Sequence, residues 1–183
     1  MKAESETDFH MVGAKRRNAK SSLTGHAAVK DIFVILNDIR SSENVGSIFR
    51  TADAAGVSKI YVCGYTPAPL DRFKRENTKL AKAALGAETF VPWEARADAL
   101  ELLRELKQNG IRIAAVEQAP GSVSYKDFSL EKPTAFIFGN EVDGVSAEIL
   151  STADAIVEIP MHGQKESLNV SVAAGIVLFA AAQ

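Results

Sequence analysis

Between Val170 and Ala182 the chain reads VSVAAGIVLFAAA, almost without a polar residue. A helix made of this segment is hydrophobic on every face, so it has to lie in a core or against another subunit. The run is too short to cross a bilayer, which takes about 20 residues. Just upstream, Val157–Pro160 reads as the end of a buried strand, where the missing N–H of Pro160 costs nothing at an edge. Met161–Glu166 form a polar loop, and Ser167-Leu168-Asn169 open the helix with Ser167 as the expected N-cap. A polar loop pinned between a buried strand and a buried helix is well placed to hold a ligand.

The rest of the chain alternates strands with helices. Strands are expected at Asp31–Leu36, Lys59–Cys63, Thr89–Val91, Ile111–Val116, Thr134–Phe138 and Ala155–Pro160. Helices are expected at Asn44–Ala55 (closed by Gly56), Asn77–Leu85, Ala95–Gln108, Ser146–Ser151 and Asn169–Ala182. Gly64–Phe73 carries Pro67 and Pro69 and reads as an irregular loop. Such alternation predicts an α/β fold with a mostly parallel sheet covered by helices on both faces. Ligands in such folds bind at the carboxyl ends of the strands. The loops after Leu36, Val116, Phe138 and Pro160 are therefore the ones to watch.

Several function classes fall away. The 183 residues suit one domain, and 46% hydrophobic content allows a substantial core. A net charge of −2 gives no overall field for nucleic acid, so any such site must be a local patch. The single cysteine, Cys63, excludes an intrachain disulfide framework and suits a reducing cytoplasm. No apolar signal segment opens the chain, so a soluble, cytoplasmic protein with no membrane partner is expected. His10, His26 and His162 are scattered, and neither a metal site nor a Ser–His dyad is indicated. Phosphate loops, dinucleotide fingerprints and nucleophile elbows are missing. Residues 1–30 are polar, with Glu4, Glu6 and Asp8 followed by Lys15, Arg16, Arg17 and Lys20. This extension reads either as a mobile tail or as a basic arm for phosphates.

Three loops share a chemical character. Asn44 stands at a helix start with Gly46 and Arg50 beyond it; the plain reading is an N-cap and a surface arginine. Because Asn44 and Arg50 are six apart, they converge only if Asn44 caps the helix and reaches back. Gly139, Glu141 and Gly144 follow the apolar strand ending at Phe138, where glycine lets backbone approach a ligand closely. The plain role for Glu141 is to cap the helix at Ser146. Ser167 and Asn169 sit in the third loop, and His162 reads there as a solvated residue.

In order and content these loops resemble the three signature motifs of the SpoU/TrmH branch of the SPOUT methyltransferases. The matching residues are Asn44-Val45-Gly46 with Arg50 and Thr51-Ala52; Gly139, Glu141 and Gly144; and Ile159-Pro160-Met161 through Ser167-Leu168-Asn169-Val170-Ser171. The resemblance runs from about Ile32 to the C-terminus, which makes residues 31–183 a SPOUT methyltransferase domain behind the extension. It implies a C-terminal trefoil knot, an exception to unknotted topology. It also implies S-adenosylmethionine as cofactor, a homodimer, and methyl transfer to a ribose 2′-hydroxyl of structured tRNA or rRNA. By position, Gly139, Gly144, Ile159, Met161, Ser167 and Leu168 fall at the cofactor site. Arg50, Asn44, Glu141, Ser167 and Asn169 fall on catalytic positions, with Arg50 either a transient base or a charge that stabilises the forming alkoxide. A binding or assembly factor of the same fold without turnover, and a base methyltransferase, are the competing readings. Many relatives carry a separate RNA-binding domain, and here only the polar extension precedes the first strand.

Overall fold

A computed structural model describes residues 31–183; the extension expected over residues 1–30 lies outside the described residues. Seven parallel strands form one sheet in the order β3-β2-β1-β6-β4-β7-β5. They are β1 (Ile32–Asn37), β2 (Lys59–Cys63), β3 (Trp93–Arg96), β4 (Arg112–Val116), β5 (Val123–Ser124), β6 (Thr134–Phe138) and β7 (Ala155–Glu158). The helices are α1 (Ser42–Ala55), α2 (Thr78–Ala84), α3 (Ala99–Gln108), α4 (Ala147–Thr152) and α5 (Val170–Ala181).

The central strands are continuous apolar runs because each is buried on both faces. Val34, Leu36, Ile60, Val62, Phe136 and Phe138 point to one side and pack with Val45, Ile48 and Phe49 of α1, Leu80 of α2 and Val177 and Leu178 of α5. The alternate residues Ile35, Tyr61, Cys63, Ile113 and Ile137 point to the other, against Leu102, Leu103 and Leu106 of α3 and Ile149 of α4. The α/β architecture with helices on both faces is thus as expected.

Lys59–Cys63 and Thr134–Phe138 form strands with the expected bounds. The expected strand at Thr89–Val91 does not form. After Gly86, at φ +92°, Ala87–Thr89 make a 3₁₀ turn, and the amides of Phe90 and Val91 both donate to the Ala87 carbonyl at 3.0 and 2.9 Å. With those donors spent, pairing moves to Trp93–Arg96. The helix expected from Ala95 begins instead at Ala99, because the Asp98 carboxylate accepts the amides of Leu100 and Glu101. The two-residue β5 has no periodic signal to announce it and exists through its pairing with β7.

Ser167 does not cap α5. Asn169 does, its Oδ1 accepting from Ser171 N at 2.8 Å, and α5 starts at Val170. The last strand also stops at Glu158, two residues short of Pro160. Among the described residues no helix is long and apolar enough to cross a membrane.

Candidate active site

Since every strand runs the same way, the loops after β1, β4, β6 and β7 emerge along one edge of the sheet. The last three enclose a cavity of about 690 Å³. Gly139, Gly144, Ile159, Met161, Ser167 and Leu168, the residues expected at a cofactor, all line it, together with Glu141 and Asn169. Its remaining walls include Val116 and Phe138 from strand ends and Val170 and Ala173 from α5.

The glycines are dictated by local geometry. Asn140 and Gly144 exchange backbone hydrogen bonds of 3.1 and 2.9 Å, closing a tight turn whose Gly144 has φ +66°. The Asn140 Oδ1 accepts from the amides of Val142 and Asp143 at 2.7 and 3.0 Å. A Cβ on Gly139 would collide with the Gly144 carbonyl, and one on Gly144 with the Glu117 carboxylate. Only residues without a side chain fit there.

Glu141 does not cap the helix at Ser146, which caps α4 with its own hydroxyl on the Ile149 amide. The Glu141 carboxylate reaches across the site to α1. There it accepts the amides of Arg40 and Ser41 at 2.9 and 3.1 Å and the side-chain amide of Asn44 at 2.9 Å. Burial works to raise its pKa. The hydrogen bonds from Arg40, Asn44, its own amide and Ser41 outweigh that and hold the group below the usual carboxylate range. Its charge also faces the positive end of the α1 dipole.

Asn44 lies inside the first turn of α1, not at its cap; Ser41 is the cap, accepting from the Asn44 amide at 3.1 Å. With its Nδ2 on Glu141, its Oδ1 accepts from Asn169 Nδ2 at 3.0 Å. Asn169 Oδ1 in turn takes the Ser171 hydroxyl at 2.6 Å. One hydrogen-bonded chain therefore joins all three motif loops: Glu141, Asn44, Asn169, Ser171. Gly46 in the same motif lets α1 approach α2 closely, since a Cβ there would strike the Leu80 carbonyl.

Arg50 stands apart. It is exposed, lies about a third of a turn around α1 from Asn44, and has no hydrogen-bond or ion-pair partner among the described residues. Neither Arg50 nor Asn44 lines the cavity. Ser167 and His162 are exposed in the last loop. Three residues not singled out from the sequence complete the site. Glu117 accepts the amides of Val145 and Gln118, both at 2.9 Å; the Gln118 side chain donates to the Glu166 carbonyl at 2.6 Å. Asn140 donates to the Asp38 carbonyl and the Tyr65 hydroxyl at 2.9 and 2.7 Å. The loop after Val116 was legible as a position to watch, but a lone carboxylate following a strand is indistinguishable from a surface residue.

Among the described residues no cluster of three or more His, Cys, Asp and Glu side chains could hold a metal. Cys63 is buried at the end of β2, and burial pushes its thiol up to about 12, which makes it a poor nucleophile.

Residues 31–179 match the model of the SpoU rRNA Methylase family. The tRNA (guanosine(18)-2′-O)-methyltransferase of Aquifex aeolicus is 35% identical over 156 residues, 83% of this chain and 69% of that protein. The 23S rRNA (guanosine-2′-O-)-methyltransferase RlmB of Ralstonia nicotianae is 37% identical over 151 residues, 82% of this chain and 57% of its own length. Among solved structures, the AdoMet-bound rRNA methyltransferase from Sinorhizobium meliloti superposes with a TM-score of 0.74 at 33% identity, covering 82% of this chain and 55% of that one. The chain thus spans little more than half the length of two of these three relatives.

Proposed function

The chain belongs to the SpoU rRNA methylase family, and on that footing we propose that it is an S-adenosylmethionine-dependent methyltransferase acting on a ribose 2′-hydroxyl of tRNA or rRNA. The observation that carries this reading is the hydrogen-bonded chain Glu141–Asn44–Asn169 at the rim of a cavity lined by every residue expected at the cofactor. Three distant polar side chains held in line beside a cavity of about 690 Å³ favour a catalytic site over a non-catalytic binding factor.

The cavity fits the cofactor chemically. Val116, Phe138, Ile159 and Leu168 offer apolar surface for an adenine ring, while the turn from Gly139 to Gly144 brings bare backbone to the same space. Ser167 and the Glu117 carboxylate supply polar groups. S-adenosylmethionine supplies an electrophilic methyl group on a sulfonium. The chain's own work is alignment, which supplies about 7–11 kcal/mol when reacting groups are held in line. Glu141 fixes Asn44, and Asn44 fixes Asn169, so that the Asn169 side chain at the cavity wall is held in a set orientation. Arginine stays protonated in proteins; on this reading Arg50 keeps its charge and stabilises the ribose oxygen as the hydroxyl proton passes to solvent water.

The homodimer belongs to the same reading. Val172 and Phe179 of α5 are each 50% exposed although the helix is apolar all round, and an unpartnered apolar face of this kind suits a second subunit. A Cβ on Gly175 of α5 would lie 3.9 Å from Thr51, so that face of α5 is covered by α1 and the exposed Val172 and Phe179 are what remain for a partner. The C-terminal trefoil knot is part of it too, supported by β4, β6 and β7 standing side by side in or near the sheet centre with their loops around one cavity. We also infer that residues 31–183 act as one catalytic domain in the cytoplasm. Calorimetry should show S-adenosylmethionine binding without added metal, and labelled methyl should pass from it to RNA as 2′-O-methylribose. No binding at millimolar cofactor with RNA present would overturn the reading.

A further inference from the structure

The loop between β2 and α2 contributes nothing to the cavity, yet it is built with care. With the start of α2, which adds Lys79 and Lys82, it carries five basic and two acidic side chains between Tyr65 and Lys82, in a chain of net charge −2, so this surface has a local positive field of its own. Its tip is a closed turn. Leu70 bridges to Glu76, Asp71 N donates to the Arg75 carbonyl at 3.0 Å, and Lys74 sits at φ +61°. The Asp71 carboxylate accepts the amides of Phe73 and Arg75 at 2.8 and 2.9 Å and the Arg75 Nε at 2.7 Å.

Phe73 projects from this turn with 64% of its surface exposed, and the guanidiniums of Arg72 and Arg75 lie 4.8 and 5.1 Å from its ring centroid. Arg72 and Lys74 are exposed and form no ion pair with a described residue. The turn is tied to the active-site edge at both ends. Asn77 caps α2 and donates to the Ser42 hydroxyl at the start of α1, while the Tyr65 hydroxyl accepts from Asn140.

We propose that the Leu70–Glu76 turn is an RNA-contacting finger, in which Phe73 stacks on an unpaired base and Arg72 and Lys74 meet the flanking phosphates, while Arg75 stays on Asp71 and braces the turn. An exposed aromatic ring ringed by cations has no place in a protein core, but it matches both parts of a single-stranded nucleotide: a π face and a charged backbone. The internal hydrogen bonds fix the turn in advance, which lowers the entropic cost of binding. The finger supplies a grip on RNA within the catalytic domain itself. It deepens the methyltransferase reading and rests on it for the identity of the RNA-bound state.

The test uses the full chain, a labelled oligouridine strand and the same strand paired in a duplex, with anisotropy read at two salt concentrations. Phe73→Ala should weaken single-strand binding roughly tenfold, and Phe73→Trp should restore it. Lys74→Ala should weaken binding and flatten its log–log salt dependence by about 0.7. Cofactor affinity and melting temperature should stay at wild-type values in all three. Wild-type single-strand affinity in Phe73→Ala, or no recovery in Phe73→Trp, would overturn the finger. Turnover on total cellular RNA together with unchanged strand binding in Phe73→Ala removes the finger and leaves the methyltransferase reading intact. A wild-type chain that neither binds S-adenosylmethionine nor methylates RNA, yet loses strand affinity on Phe73→Ala, removes that reading and leaves the finger.

Discussion

Asn169 Nδ2 donates to Asn44 Oδ1 at 3.0 Å, joining residues 125 apart in sequence. Asn44 has its other amide atom on Glu141, so neither asparagine can rotate without breaking a bond that orients the next. The two should act as one unit. Asn44→Ala and Asn169→Ala are each expected to lower kcat by roughly 10- to 100-fold through misalignment. The double variant should be little worse than the poorer single one, a non-additivity that single-turnover kinetics on the three proteins would reveal. Fully multiplicative losses would show the residues to be independent.

Glu141 predicts an acid-limb effect. Its folded pKa lies below the ordinary carboxylate value, so its contribution to stability is complete above the unfolded pKa and disappears as pH falls through the folded one. Glu141→Gln should melt below wild type at pH 7, because its NH₂ replaces one of the two accepting oxygens and must face the amide of either Arg40 or Ser41. Between about pH 5 and pH 3 the gap should narrow as the wild-type carboxylate is protonated. Melting curves across that range measure it, and a constant gap would contradict the assignment.

The glycines divide by geometry. Gly139→Ala drives a Cβ into the Gly144 carbonyl and should cost about 1–3 kcal/mol and most of the cofactor affinity. Gly163→Ala, in the last loop, has no atom of the described residues within 4 Å of the new Cβ and should stay within about 0.5 kcal/mol of wild type. Denaturant titration and calorimetry on the pair separate a site effect from a generic glycine effect.

Arg50→Ala should lower kcat by about 10²–10³ while leaving fold and cofactor affinity in place, since the side chain is exposed and holds no other element. Arg50→Lys keeps the charge but not the planar fork, and should recover only part of the rate. Near wild-type turnover in Arg50→Ala would refute the role.

Phe179→Glu puts a charge on the exposed apolar face of α5. The variant should sediment as a monomer, or precipitate, and fail to methylate. A wild-type chain that is monomeric at micromolar concentration and fully active would exclude the dimer.

What the sequence disclosed follows from how local each signal is. Lys59–Cys63 and Thr134–Phe138 are legible because burial on both faces leaves an unbroken apolar run, and Gly56 marks the end of α1 by its αL conformation, φ +73°. Thr89–Val91 misled because its β-rich side chains say nothing about amides already given to Ala87. The cavity lining followed from the motif resemblance residue by residue. The partners of Glu141 could not be read: the amides of Arg40 and Ser41 lie about a hundred positions away, and any backbone amide looks like every other in a sequence. Glu117 and Asn140 were silent for a related reason, as their importance lies in which backbone groups they hold.

The position of β6 has a consequence for how the chain is made. It pairs with β1 in the middle of the sheet, Ile32 opposite Thr134, although β1 is synthesised about a hundred residues earlier. A ribosome adding about 5–20 residues per second leaves that edge of β1 without its neighbour for roughly 5–20 seconds, a window in which an open strand edge invites aggregation. α5 emerges later still, and with it Asn169, so the polar chain across the three loops cannot close before nearly all of the domain has left the ribosome. Nascent chains should therefore show cofactor binding in a single late step, with no partly active species earlier.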